Sequence, residues 1–332
     1  MVAQPSVISE CSKGSESVKT ARSRDDELWF EDGTIIIIAQ TTEFRVYKGH
    51  LARRTDVFKD MLSFPQPTRS AVSSEDDQKF PCPVVHVTDS ARDWRIILRL
   101  MLSAEEQGLF SKSRPDPSFE VISACVRLGH KYQMNSIYGQ AMDYLKGHFT
   151  DSLFIYKKTP TFMPPGFEHL KYAIGVVNLA RLTEEDTILP TALWMCCRMG
   201  ADIVSGFTYS DGERETLSSP DLGLCFVAKA RLLQATTLAY MQTFADLPAG
   251  ICALKDGDDR CRRALRELSD IKIVAAITMP NPMSIYKSTL PGADAPQLCK
   301  ACATAITQRQ VQRQRESWAK LPSLLGITVP GW

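Results

Sequence analysis

Residues 35–38 are four consecutive isoleucines, closed by Ala39. β-Branched side chains are stiff at χ1 and suit a pleated surface, so the run predicts a strand. A strand with one wet face alternates apolar and polar residues, and this one does not. It is therefore expected to be central, with something packed on each face. Glu31-Asp32-Gly33 ahead of it is a turn signal, and Leu28-Trp29-Phe30 reads as a short apolar strand. The polar Gln40–Glu43 stretch leads into a second β-rich run, 44–48, which predicts a hairpin. Leu51, Val57, Phe58, Met61 and Leu62 then lie near one face of a helix over roughly 49–62, with Arg53-Arg54 off it.

A proline-rich stretch carrying Glu75-Asp76-Asp77 follows and predicts a long loop before a third strand at 84–87. Trp94, Ile97, Leu98 and Met101 recur at i, i+3, i+4 and i+7, the stripe of a helix. Val121, Cys125, Leu128 and Tyr132 form another stripe, as do Ile137, Ala141, Tyr144 and Leu145. The expected fold class is α+β: a small sheet flanked by short helices, followed by a mostly helical region. The expected division is a disordered arm at 1–25, a first domain at 26–150, a linker at 151–169 and a helical region at 170–332. Helices are expected at 170–182, 190–205, 221–246, 258–270 and 297–320. Ser219-Pro220 places an N-cap before a proline at the first helical position.

The net charge is +1, so no global field draws in nucleic acid or an acidic membrane. Arg309, Arg313, Arg315 and Lys320 read as a solvated helix face rather than a nucleic-acid stripe. No apolar run approaches the ~20 residues of a membrane span. Ten cysteines, with no apolar leader and no Asn-x-Ser/Thr sequon, point to a reducing interior, cytoplasmic or nuclear. The chain lacks GxSxG, HExxH, Walker A and GxGxxG. Ser284-x-x-Lys287 and Ser317-x-x-Lys320 match SxxK without its companion motifs, so the expectation is a chain that is not an enzyme. Cys252 and Cys261 fall at the end of one helix and the start of the next, and Cys299 and Cys302 share a CxxC. The two pairs leave three readings open: a structural zinc, closed because four Cys leave no position for water; ordinary core or surface thiols; or redox chemistry. Cys196-Cys197, adjacent on a helix, read as packing.

Phe44, Val46, Lys48, Leu51, Thr55, Val57, Phe58, Met61 and Leu62 spell F-x-V-x-K-x-x-L-x-x-x-T-x-V-F-x-x-M-L. Placed after an Asp-Gly turn and an apolar strand, this resembles the start of a BTB (POZ) domain. The likeness spans roughly 28–150. The tail from Trp318, WAKLPSLLGITVPGW, and the CxxC are similar to the C-terminal region of a large group of fungal BTB proteins, with the middle helices placed like a BACK-type region. The resemblance implies a protein-binding module that forms homodimers through the first strand and first helix, here Leu28, Trp29, Phe30, Phe58 and Met61. It implies a charged groove at Asp32 and Lys48, against the plainer reading of a strand-end Asp and a solvated Lys. It implies contact with a cullin through the loop holding Glu75, so that an unknown client reaches a cullin-RING ubiquitin ligase. The alternative is a scaffold or transcription-linked regulator with no ligase role. The chain departs from the family at Tyr47, where His is usual. Either the Tyr hydroxyl takes over the hydrogen bond, or the turn differs.

Overall fold

The computed structural model describes residues 22–63, 82–102, 116–158, 162–248, 250–253, 259–284 and 297–332. The first part contains strands β1 (Ser23–Trp29), β2 (Ile35–Ala39) and β3 (Thr42–Val46), helices α1 (Lys48–Arg54) and α2 (Asp56–Ser63), and strand β4 (Val84–Val87). Helices α3 (Ala91–Leu102), α4 (Phe119–Lys131) and α5 (Asn135–His148) follow. The sheet order is β1-β3-β2-β4. β2 is antiparallel to β3 and parallel to β4, while β1 runs parallel to β3. All five residues of β2 are buried. Ile35, Ile37 and Ala39 enter the main core, and Ile36 and Ile38, on the opposite face by the strand's alternation, are equally hidden. The isoleucine run is thus a central strand, and the fold is α+β with the sheet first and the helices after it.

Three local expectations are corrected. β1 begins at Ser23, inside the stretch assigned to a disordered arm. It is anchored by the Asp25 carboxylate, which accepts from Leu28 N at 3.0 Å and Arg95 Nε at 2.7 Å. The helix over 49–62 is two helices, because Thr55 is extended (φ −146°, ψ 124°). Its Oγ1 accepts from Phe58 N at 3.2 Å and so caps α2. The described residues of the linker expected at 151–169, namely 151–158 and 162–169, are packed structure. They include α6 (Leu153–Lys158), and Tyr156, Phe162 and Phe167 are buried in the main core.

The remaining elements are α7 (Tyr172–Thr183), α8 (Leu189–Cys197), α9 (Asp202–Ser205), the hairpin β5 (Phe207–Thr208) and β6 (Arg214–Glu215), α10 (Ser219–Phe244), α11 (Arg260–Thr278), α12 (Lys300–Ala319) and α13 (Leu321–Leu325). One apolar cluster runs from Leu28 to Leu325, across the boundary expected at 150. A second, smaller cluster joins α10, α11 and α12. α10 is long and apolar enough to cross a membrane by length and composition. Sequence reading missed this because Lys229 and Arg231 interrupt the run. Its inner face, including Cys225, Ala228 and Leu232, belongs to the main core.

Candidate metal centre

Cys299 is the N-cap of α12, with φ −63° and ψ 159°. Its sulfur accepts from Cys302 N at 3.5 Å, as a Ser or Asp cap would. A CxxC in this position straddles the first turn and turns both thiols to one side. Cys261 is the second residue of α11, and its Sγ accepts from Cys299 N at 3.2 Å, which docks the starts of α11 and α12 together. Cys252 comes from the connection between α10 and α11. The four Sγ atoms all lie within 4.8 Å of one another. Among the described residues this is the group of His, Cys, Asp or Glu that could hold a metal ion. A tetrahedral ion with bonds of about 2.3 Å places its sulfurs ~3.8 Å apart, so small side-chain rotations close this set around one ion.

The electrostatics favour a cation. Backbone N–H groups of Cys302 and Ala253 hold the Cys299 thiol down to about 6, so it is a thiolate at neutral pH. Burial pushes the Cys302 and Cys261 thiols up. A divalent ion bound there would take the thiolate as one ligand and displace the protons of the other thiols. The fold brings all four thiols together, so the group could hold a metal ion. Cys196, Cys197 and Cys225 are separate from this group and buried, with Cys197 Sγ donating to Cys225 O at 3.6 Å, a packing role.

The other expected site residues fare differently. Leu28 is 3% exposed, and Trp29 lies beneath the Arg24 guanidinium, 4.3 Å from the ring centroid. Phe30 stacks on Tyr47 at 5.4 Å. Of this apolar stretch Leu28 is buried, while Trp29 and Phe30 stay half-buried. Phe58 is also a core residue, packed between Trp94 and Tyr132, while Met61 is half-buried. Asp32 and Lys48 are exposed. Asp32 accepts from the Tyr47 hydroxyl at 2.7 Å, so the Tyr hydroxyl makes a bond of its own at this turn. Glu75 lies outside the described residues.

Sequence reading missed a cleft of about 930 Å³ between α3, α4 and the β5–β6 hairpin. Its charges are matched internally. Arg92 meets Asp93 at 3.0 Å and Asp211 at 2.9 Å, Arg127 meets Glu215 at 2.7 Å, and Lys131 meets Asp89 at 2.7 Å. Asp211-Gly212 is a hairpin signal that would have located the β5–β6 turn, where Tyr209 N donates to Glu213 O at 2.8 Å. No known family profile matches the chain, and no curated protein matches it significantly.

Proposed function

We propose that the chain is a non-catalytic protein-interaction module whose helical half is held by a structural Zn²⁺ bound to Cys252, Cys261, Cys299 and Cys302. The convergence of four thiols from three separated stretches carries this reading. An all-sulfur tetrahedral set suits zinc, and four protein ligands leave no position for a substrate or a reactive water. The ion would tie the α10–α11 connection to the starts of α11 and α12. The N-terminal unit is read as BTB-like on the motif from Phe44 to Leu62, and the order strand, hairpin, helix pair, strand, helices supports that reading. In this function the BTB-like unit meets a cullin, and the helical half presents a client protein.

Two measurements test the reading. Protein purified under reducing conditions is expected to carry about one zinc per chain, and Cys302→Ser to lose most of it. A metal content below ~0.2 equivalents would sink the zinc assignment. Direct titration with the N-terminal domain of the cullin that serves BTB proteins is expected to show micromolar binding. Absence of binding leaves a scaffold without a ligase role.

A further inference from the structure

The outer side of α10 is unusual for a helix in water. Phe226, Val227, Leu238 and Met241 are each more than half exposed. At 100° per residue they fall within an arc of ~120°. Among the described residues, Arg231 is the one exposed charge between 223 and 242. The second half of α11 adds Ile271, Val274 and Ile277, each at least 50% exposed, with Ile273 and Met279 also open. The first half of the same helix exposes Arg262, Arg263, Arg266 and Glu267 instead.

The two apolar stretches lie side by side. The Tyr240 hydroxyl donates to Leu268 O at 3.2 Å and also reaches Ser269 O, which sets the level of the antiparallel pair. Counting away from that point in opposite directions puts Leu238 level with Asp270 and Ala230 level with Thr278. The open residues of α11 and its end, 271–279, therefore lie level with 229–237 of α10, between the Phe226–Val227 pair and the Leu238–Met241 pair. A face of this kind is larger than the scattered apolar exposure of a monomer surface. These nine side chains expose on the order of 900 Å², against the ~800 Å² each partner contributes to a standard interface.

We infer that this face is where a second copy of the chain docks, α10 and α11 of one protomer packing on those of the other about a two-fold axis. A two-helix face is self-complementary, and two of them close as a four-helix bundle. The area is what a stable dimer needs, and among the described side chains the exposed charges on this stretch are Arg231 and Asp270, opposite in sign, so a symmetric contact places little like-charge repulsion across the axis. A membrane span is the weaker fit, because the inner side of α10 is engaged in the main core and cannot be withdrawn into a bilayer. The inference rests on the adaptor reading only in supplying it with a self-association surface.

Sedimentation of the full, zinc-loaded chain tests it. The expected mass is twice 37.0 kDa. Leu238→Lys and Val274→Lys should each weaken self-association at least tenfold, with metal content and helical signal unchanged. On the unmodified chain, hydrogen exchange over 226–241 and 271–279 should slow as concentration rises. A monomer at all concentrations, a dimer untouched by both substitutions, or a monomer that co-sediments with phosphatidylserine vesicles would each overturn the inference. Cullin binding is read separately, so failure of the dimer and failure of the adaptor reading are distinguishable.

Discussion

Asp25 carries more than its place at a strand end suggests. It is 5% exposed, and burial alone would raise its carboxyl pKa. Hydrogen bonds from Arg95, Leu28 N and Glu27 N outweigh that and hold it below its ordinary value of 3.8. A depressed carboxyl contributes stability that is fully present above the ordinary value and is lost as pH falls through the folded one. Asp25→Asn should therefore cost about 1–3 kcal/mol near neutral pH, because it removes the charge that Arg95 faces. Denaturant unfolding should show that cost shrinking as the pH is taken below 3.8. A cost independent of pH would mean that packing, not charge, holds β1. Tyr47 and Thr55 act at the same scale: one hydroxyl engages Asp32 and the other caps α2, so single side chains decide how the hairpin meets the helices.

Among the elements, the β5–β6 hairpin joins the two halves. Tyr209, Asp211 and Glu215 on it meet Ser123, Arg92 and Arg127 on α4 and α3. Gly206 makes its entry possible: it sits at φ +67°, and a Cβ there would lie 2.0 Å from Glu215 O. Gly206→Ala should cost roughly 1–3 kcal/mol and loosen the hairpin first, visible as faster hydrogen exchange at Tyr209 and Glu215. The four-cysteine group joins another element pair. Among the described residues its neighbouring core has seven buried members, Tyr240, Phe244, Ala264, Leu265, Leu268, Ala276 and Ile306. So small a core needs a staple. Chelation should release α11 and the start of α12, giving an early melting transition while the main core keeps its own; a single unchanged transition would remove the staple. This contrast shows what was legible in the sequence. The isoleucine run and the stripe from Trp94 announce themselves by local periodicity, and the helix from Ser219 by its Ser-Pro start, although its N-cap is Ser218, whose Oγ accepts from Asp221 N, and not Ser219. The hairpin did not, because its strands are two residues each and are held by distant Arg side chains. The convergence of Cys261 with Cys299, 38 residues apart, is set by helix docking, which spacing alone left open between metal, packing and redox. At the first strand the contacts of Arg24 with Trp29 and of Tyr47 with Phe30 were not legible, because both partners are polar residues read as surface.

At the scale of the whole molecule the question is whether a chain ending at 150 folds alone. The packing argues against it. The Phe119 ring on α4 is enclosed by Phe167, Tyr172, Phe207 and Tyr209, all beyond that boundary. Arg92 is 6% exposed and keeps only Asp93 if the hairpin is removed. The C-terminal tail also returns: Trp318 stacks on Tyr156 and donates from Nε1 to Asp151 O at 3.0 Å, and Trp332 stacks on Trp318. Cutting at 150 would expose a cluster of aromatic surface and strand a buried guanidinium, each cost on the order of several kcal/mol and comparable to the whole stability of a domain. A fragment of residues 22–150 is therefore expected to bind a hydrophobic dye and to lack a cooperative melting transition, whereas the full chain melts its main core as one unit. A fragment that melts cooperatively at the temperature of the full chain would instead make the first part an independent domain, with the hairpin and the C-terminal tail as attachments it can do without.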